Sequence, residues 1–458
     1  MGVTRELADY CSLLKFNDLP DEVIECAKYR FLDWISVACR GSIEAPSKAI
    51  YRFVREMEKG EGVIVGTRQK APYLYSALAN GTSSHSIEMD DVNNPASLHP
   101  GVVVFPSALA AGEMAGASAK RFILAVVLGY EVMIRLGTAL GPENSYKRGF
   151  HPTGTCGSFG SSVASAKILG LEKEEILNAI GISGSQAAGS MEYLAQGAWT
   201  KPFHAGWAAH SGMVASLLAR KGYKGPSSIV EGRDGFLHAY SEGADPSKVL
   251  EEIGSRFRIL QTSVKTHACC RYMHSPIDAV LKIAKENNLR PEQIKKVKVG
   301  VLKAGAPLIA EPLESKYTPQ SIVDAQFSMP FGAAVALLYG RAGLKEFQPS
   351  TIGSTPVKEM MRKVECIVDP ELDRTFPQQW RATAEILTAD EKRYSTTIEY
   401  PKGDPENPLS WEEMIDRFHD LTGQIIKKDQ RSKIVETVER LDGVKNMRRW
   451  SSQFLGKN

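Results

Sequence analysis

The stretch TCGSFGSSVASAKILG, residues 155–170, decides the fold class of this chain. Glycine, alanine and serine fill most of its positions, and such small residues let helix backbones approach one another closely. A 3.6-residue period of apolar positions dominates from Pro20 to about residue 240. Further predicted helices cover residues 20–41, 71–87, 101–116, 118–140, 172–189 and 204–222. We therefore expect a compact all-α bundle.

After about Ser263 the pattern changes to short segments in which apolar and polar residues alternate. Predicted strands lie at 297–305, 363–369, 381–389 and 393–401, and predicted helices at 273–287, 321–340 and 355–363. This predicts a small α+β domain over residues 263–402. The helical period returns at Ser410, so residues 403–458 are predicted to join residues 1–262 in one all-α domain. The predicted fold class is mainly α.

Composition and charge exclude several classes of partner. The 458 residues are 43% hydrophobic and 24% charged, and the formal charge of +3 is spread rather than massed. Neither nucleic acid nor an anionic membrane is expected as the main partner. No apolar run approaches the roughly 20 residues that cross a bilayer, and the N-terminus is predicted to be an amphipathic helix, so a cytoplasmic location is expected.

The seven cysteines are irregularly spaced and form no CxxC pair. Reduced thiols are therefore expected, and an iron–sulfur cluster is not. No HExxH, HxH or carboxylate cage appears, so no metal is predicted. No phosphate-binding glycine loop follows a predicted strand, so no nucleotide cofactor is predicted either.

Titratable side chains concentrate in four clusters, at residues 84–106, 146–158, 199–210 and 265–278. Seven of the nine histidines fall in these clusters. Because lysine and arginine accompany them, the clusters suit proton transfer next to a carboxylate, where a cation stabilises the charge that develops. A polycarboxylic acid is the substrate class that this combination predicts.

Each cluster also has a structural interpretation. Asp90, Asp91 and Asn94 could cap helices or close an Asx turn before Pro95. His85 stands among apolar residues at helical spacing, which favours a structural role. The remaining alternatives are that Lys147, Arg148 and Lys201 are solvated helix ends, that His204 is a helix cap and that His210 is packed in a core.

Six stretches carry a family resemblance, in order along nearly the whole chain. They are HSIEMDDVNNPASLHPGVVVFPSALA, GFHPTGTCGSFGSSVASAKILGL, TKPFHAGWAAHSG, KTHACCRYMHSPIDA, DAQFSMPF and GDPENPLSW. These resemble the signatures of the MmgE/PrpD family, which includes 2-methylcitrate dehydratase, cis-aconitate decarboxylase and iminodisuccinate epimerase. The resemblance implies a large all-helical domain built from both chain ends, a smaller α+β lid domain with the site between them, no cofactor, and a homodimer.

The resemblance also assigns site residues. His99, His151 and Lys201 match the catalytic histidine and lysine positions, and Asp90 and Asp91 match an acidic pair that would orient a histidine. Residues implied to bind substrate are Glu88, Lys265, Arg271, His274 and His204. Glu88 stands where aspartate is expected, which leaves its role open.

Two departures bear on the reaction. The decarboxylase branch is expected to carry His at the position of Cys270 and Tyr at the position of Pro330, so decarboxylation ranks lower. Dehydration of a hydroxy acid such as 2-methylcitrate is the first expectation, with one of His99 and His151 as base and the other as acid. The alternatives are an epimerase or isomerase, a decarboxylase, and a non-catalytic polycarboxylate-binding protein.

Overall fold

The computed structural model describes residues 2–456. The chain separates into two compact units. The first, here called the helical unit, comprises the chain up to Glu192, Trp199–Thr262, and the chain from Ser410 onward. The second, the α+β unit, comprises Tyr193–Ala198 and Ser263–Leu409. The predicted domains, residues 1–262 with 403–458 and residues 263–402, stay a prediction.

The described chain is mainly helical, as the sequence predicts. The helices of eight or more residues are α1 (Val3–Leu13), α2 (Asp21–Gly41), α3 (Ala45–Arg55), α4 (Tyr73–Ser84), α5 (Gly101–Ala115), α6 (Ala119–Leu140), α7 (Pro152–Leu169), α8 (Lys173–Gly184), α9 (Thr200–Ala219), α10 (His274–Glu286), α11 (Met329–Tyr339), α12 (Thr355–Arg362), α13 (Trp411–Thr422) and α14 (Lys428–Glu439). Helices α10 to α12 belong to the α+β unit and the others to the helical unit.

The small-residue helix α7 lies at the centre of the helical unit, packed against α5, α6, α8 and α9. Close approach of backbones explains its composition. A Cβ atom on Gly160 would lie 2.8 Å from the carbonyl oxygen of Gly129 on α6. Likewise, a Cβ on Gly81 of α4 would lie 2.7 Å from the Cα of Gly206 on α9. Both contacts exclude any side chain larger than hydrogen, which confirms the interpretation of the glycines.

The C-terminal helices α13 and α14 pack on α2, so the helical segment after Ser410 belongs to the helical unit. The unit is not purely helical, because Gly62–Val63 pairs antiparallel with Lys70–Ala71. These strands are too short to give an alternating pattern, which is why the sequence does not reveal them.

Helix α6 is long and apolar enough to cross a membrane by length and composition, with a mean hydropathy of 1.8. This corrects the expectation that no stretch approaches that length. Of its most apolar segment, 94% is buried inside the protein. Glu131 and Arg135 form an ion pair on this helix with both side chains fully buried. Burial and internal charge pairing are the features of a core helix.

The α+β unit contains one four-stranded sheet, and all four predicted strands are confirmed. The strands are β1 (Ile294–Val301), β2 (Val364–Val368), β3 (Ala382–Thr388) and β4 (Arg393–Ile398), in the order β2-β1-β3-β4. Strand β1 pairs parallel with β2 and antiparallel with β3, and β3 pairs antiparallel with β4. Helix α10 packs on β3 and β4.

One predicted helix is interrupted. The stretch 321–340 forms Ile322–Gln326 and then, after a break, α11. Ser328 causes the break because its hydroxyl accepts a hydrogen bond from the N–H of Phe331 and so caps the new helix. Pro330 follows at a first-turn position, where its missing N–H costs nothing.

Candidate active site

The loop between α4 and α5 brings its polar residues together by turning back on itself. Asn93 donates its N–H to the carbonyl of Leu98 at 2.8 Å, and its side-chain oxygen accepts from the N–H of Ala96 at 3.0 Å. The side chain of Asn93 therefore closes this turn around Pro95 through the N–H of Ala96. Glu88 has a left-handed backbone with φ 56°, which a residue with a side chain adopts only at some cost.

Asp90 lies between two histidines of this loop. Its Oδ2 is 2.9 Å from Nδ1 of His85 and 2.9 Å from Nδ1 of His99. Nδ1 of His99 also lies 2.8 Å from the carbonyl oxygen of Asp91. Because a carbonyl only accepts, Nδ1 of His99 carries a hydrogen, and the neutral ring keeps its lone pair on Nε2.

The Asp91 carboxylate contacts the start of helix α5 rather than a histidine ring. Its carboxylate accepts from the N–H of Gly101 at 2.9 Å and from the hydroxyl of Tyr130 at 2.6 Å. Burial raises the pKa of Asp91 to about 7, although the Tyr130 hydroxyl and the charge of Arg30 oppose the rise. Of the predicted acidic pair, Asp90 therefore contacts the histidine side chains, while Asp91 contributes its carbonyl and secures the start of α5.

His151 and His204 form a second pair, with 3.2 Å between their Nδ1 atoms. His151 directly precedes α7, and His204 lies in the first turns of α9, where Trp199 holds the cap position. The alternative that His204 is a helix cap is therefore wrong. One ring donates and the other accepts, so both cannot be charged.

Burial dominates the protonation of this pair. It holds the pKa of His151 well below its ordinary value, and the rings of His204 and His85 add to the effect. Burial also lowers the pKa of His204 to about 4, assisted by His85 and Lys201. Both rings are thus neutral near pH 7.

Lys201 is not a solvated helix end. It is 5% exposed and forms an ion pair with Glu88, which is 4% exposed. The pairing explains why an acid stands at position 88, because a buried ammonium needs a partner. By contrast, Lys147 and Arg148 are exposed, as their structural interpretation predicts, and His210 is half-buried against Trp207.

The rings form one cluster. The centroid of the His85 ring is 4.9 Å from that of His99 and 5.9 Å from that of His151, and the His151 and His204 centroids are 5.5 Å apart. The sequence predicts a structural role for His85 and so does not include it in this cluster, whereas its ring lies among the others. Its spacing continues α4, but the helix ends at Ser84 and His85 occupies the cap position.

Sequence reasoning missed one support of the loop. Arg417 on α13 donates to the carbonyl of Met89 at 2.6 Å and to the carboxylate of Asp33 on α2 at 2.9 Å. These bonds hold the backbone next to Asp90. No local pattern could reveal them, because Arg417 is 328 residues away from Met89.

The α+β unit has its own polar cluster, which contains the other predicted residues. Lys265 and His274 are fully buried, and Arg271 is 4% exposed and forms an ion pair with Asp404. The hydroxyl of Ser263 also donates to Asp404. His267 bonds to Asp278 at 2.8 Å through Nε2, and its ring centroid lies 5.0 Å from that of His274.

His85, Asp90 and His99 also offer ligand atoms that all lie within 4.8 Å of one another, a spacing at which a metal ion could be held. Hydrogen bonding alone accounts for this geometry, because each Nδ1 atom faces the same carboxylate oxygen. The absence of a metal stays a prediction, to be tested with chelator.

Two family models match the chain. The MmgE/PrpD N-terminal domain matches residues 5–249, and the MmgE/PrpD C-terminal domain matches residues 267–442. The chain is 26% identical over 460 residues to the cis-aconitate decarboxylase-like protein oryM of Aspergillus oryzae, covering 96% of this chain and 95% of the relative. It is 27% identical to cis-aconitate decarboxylase of Aspergillus terreus, with 96% and 93% covered, and 26% identical to that of Homo sapiens, with 97% and 93% covered.

Proposed function

The chain belongs to the MmgE/PrpD family, and from that premise we propose that it is a lyase that dehydrates a hydroxy di- or tricarboxylic acid such as 2-methylcitrate. The relatives that carry the name cis-aconitate decarboxylase support the broader class, a lyase acting on a polycarboxylic acid. The acid–base cluster of the helical unit supports the chemistry.

The pairing of Asp90 with His99 is the observation that carries this proposal. With Nδ1 protonated toward Asp90 and the carbonyl of Asp91, His99 has its lone pair on Nε2. Asp90 stabilises the imidazolium that forms when Nε2 accepts a proton, as an acid does behind a catalytic histidine. His99 is therefore the proposed base that removes the proton next to a substrate carboxylate.

The same histidine can complete the elimination. The C–H electron pair forms the new double bond, the C–O bond breaks, and the departing hydroxyl takes the proton that His99 has just received, leaving as water. Each turnover converts one molecule of the hydroxy acid into one molecule of the alkene and one molecule of water. Lys201 supplies a positive charge close to the carboxylate on which negative charge builds up. His151, held neutral, orients the hydroxyl by a hydrogen bond.

Decarboxylation is the second candidate, favoured by the names of the relatives. It needs a donor that is already protonated, because the carbanion left by carbon dioxide must receive a proton. The neutral state of His151 and His204 does not suit that role. Cys270 and Pro330, a buried thiol and a proline, also replace the ring and the phenol expected of the decarboxylase branch.

The test is to mix chelator-treated protein separately with 2-methylcitrate, citrate, citramalate and cis-aconitate. Ultraviolet absorbance reports a new conjugated alkene, a carbon dioxide assay reports decarboxylation, and mass spectrometry in heavy water reports proton exchange. Alkene without carbon dioxide, at a rate that rises with pH as a neutral base requires, supports dehydration. His99→Asn removes the proposed base and is the variant that tests its role. His238→Asn, which alters an exposed histidine outside the cluster, is its matched control.

The other outcomes each name a different function. Carbon dioxide from cis-aconitate, at a rate that falls as pH rises, would replace the proposal by decarboxylation. Deuterium in recovered substrate without alkene would indicate an epimerase or isomerase. Binding of these acids without any turnover, by treated and untreated protein alike, would make the protein a polycarboxylate-binding protein, and activity of the untreated protein that chelator removes would show that the metal-free mechanism is wrong.

A further inference from the structure

His85 is the residue on which the two histidine pairs converge. It is 1% exposed, it shares the Asp90 carboxylate with His99, and its ring lies almost parallel to that of His151, with 8° between the planes. A histidine that merely fills a core needs none of these contacts. The position at the end of α4, rather than inside the helix, frees the ring to reach them.

The hydrogen bonding of His85 is one-sided. Nδ1 faces Oδ2 of Asp90, while Nε2 is buried without a hydrogen-bond partner among residues 2–456. Leaving a buried ring nitrogen unpaired is costly, so such groups in a folded protein call for an explanation. Donation from Nδ1 to an ionised Asp90 fixes the tautomer and leaves Nε2 with the lone pair.

Two donors on one carboxylate oxygen have a defined effect on catalysis. Each hydrogen bond withdraws charge from Asp90, so His85 limits how strongly Asp90 holds the proton of His99. It also fixes the orientation of the Asp90 carboxylate relative to the His99 ring. Without His85, Asp90 would lose the hydrogen bond that Nδ1 of His85 makes to Oδ2.

Other charged and titratable groups face this site from every neighbouring element. They are His99 and Asp90 in the loop, His151 before α7, His204 and Lys201 on α9, and Asp33 on α2 with its partner Arg417 on α13. His85 contributes to the electrostatics of both His151 and His204. A change at position 85 therefore affects the surroundings of both His151 and His204.

We propose that His85 is a positioning residue: through Nδ1 it holds Asp90, and through Asp90 it sets the orientation and the proton affinity of His99. This deepens the proposed function and rests on it for its kinetic consequences. The tautomer of His85 does not depend on the reaction, so it can be tested separately.

The kinetic test compares His85→Asn with His85→Leu. The two side chains have nearly the same shape, and the asparagine amide can replace Nδ1 as the donor to Asp90 whereas leucine cannot. We expect His85→Leu to lower kcat about 30-fold, with KM within about 3-fold of the unchanged protein, and His85→Asn to keep most of the activity. The acid limb of the kcat/KM profile should move to higher pH in His85→Leu only, because Asp90 then holds the proton of His99 more tightly.

The second measurement uses the unchanged protein labelled with ¹⁵N-histidine. We expect the His85 ring, assigned by its loss in His85→Asn, to be the neutral tautomer with hydrogen on Nδ1 near pH 7. Hydrogen on Nε2, or equal activity and pH profiles in His85→Leu and His85→Asn, would overturn the proposal. If the unchanged protein turns over none of the acids, the proposed function fails, and the tautomer alone decides whether His85 holds Asp90.

Discussion

Each unit contains an aspartate bonded to a histidine, but the Asp90 side chain is 1% exposed and that of Asp278 is 18% exposed, and the two are used differently. In the helical unit, Asp90 Oδ2 lies 2.9 Å from Nδ1 of both His85 and His99. In the α+β unit, one oxygen of Asp278 accepts from His267 at 2.8 Å and the other from the backbone N–H of Lys402 at 2.9 Å. The first aspartate acts on two ionisable rings, whereas the second joins a helix to a distant chain segment. The shared pairing therefore predicts proton transfer only where the aspartate faces a second histidine ring.

The buried cations show the same contrast. Lys201 pairs with Glu88 and lies close enough to His151 and His204 to lower the pKa of both, while Arg271 pairs with Asp404, which also accepts from Ser263. The α+β pair is thus part of a network that ties chain segments together. The helical pair places a charge beside groups that can exchange protons.

The largest expected effect separates the two aspartates. Asp90→Asn should lower kcat about 10³-fold, because an amide cannot stabilise the imidazolium of His99 and can favour the wrong tautomer. Asp278→Asn should lower it less than about 10-fold, since its bonds are structural. Steady-state kinetics on the acid identified by the alkene assay measure both. Similar losses in the two variants would show that both clusters take part in the reaction.

Lys201 should give the next largest effect. Lys201→Met keeps the apolar stem and removes the charge, so kcat/KM should fall about 10²- to 10³-fold through lost stabilisation of the developing anion. Lys147→Met is the matched control, because the Lys147 side chain is 68% exposed. Activity near normal in Lys201→Met, measured where circular dichroism shows folded protein, would remove Lys201 from the mechanism.

The sequence predicts the fold well because its signals are local. The small residues of α7 reflect close packing of helices, and the alternation in β3 reflects the two-residue period of a strand. The ends of helices are harder to predict because they depend on single side chains. Ser328, for example, interrupts a continuous apolar pattern by capping α11.

The sequence names candidate residues for the site, but it does not reveal which contacts each of them makes. Asp90 and Asp91 are adjacent and chemically identical, and only the path of the loop, with its left-handed Glu88, decides which carboxylate meets the rings. The spacing of His85 continues α4, which is why the sequence predicts a structural role for it. Arg417 was missed because its contacts with Met89 and Asp33 join distant parts of the chain.

The buried ion pairs should differ in their contribution to stability. Lys201→Met leaves Glu88 buried without its cation, which should lower the free energy of unfolding by about 3 kcal/mol. Adding Glu88→Gln should recover much of that loss, because the orphaned charge is gone. Arg271→Met should cost less, since Asp404 keeps the Ser263 hydroxyl. Urea unfolding followed by circular dichroism measures all three; no recovery in the double variant would contradict the burial argument.

The smallest expected effect is a pH dependence that belongs to the neutral histidine pair. Because the pKa of His204 falls from an ordinary 6.5 to about 4, the unfolded chain takes up a proton before the folded protein does as pH falls below 6.5. The stability that neutral His204 contributes is therefore lost as pH falls. Asp91 acts in the opposite direction over the same range, since its raised pKa favours the folded form at lower pH.

The unfolding curve of the unchanged protein mixes these opposing contributions, and comparison with His204→Asn separates them. The difference in free energy of unfolding between the unchanged protein and His204→Asn should shrink by up to about 2 kcal/mol between pH 6.5 and 5. His238→Asn, which alters an exposed ring, is the control. A difference that stays constant over this range would mean that His204 takes up its proton equally in the folded and unfolded states, so the helical unit would not hold His204 neutral.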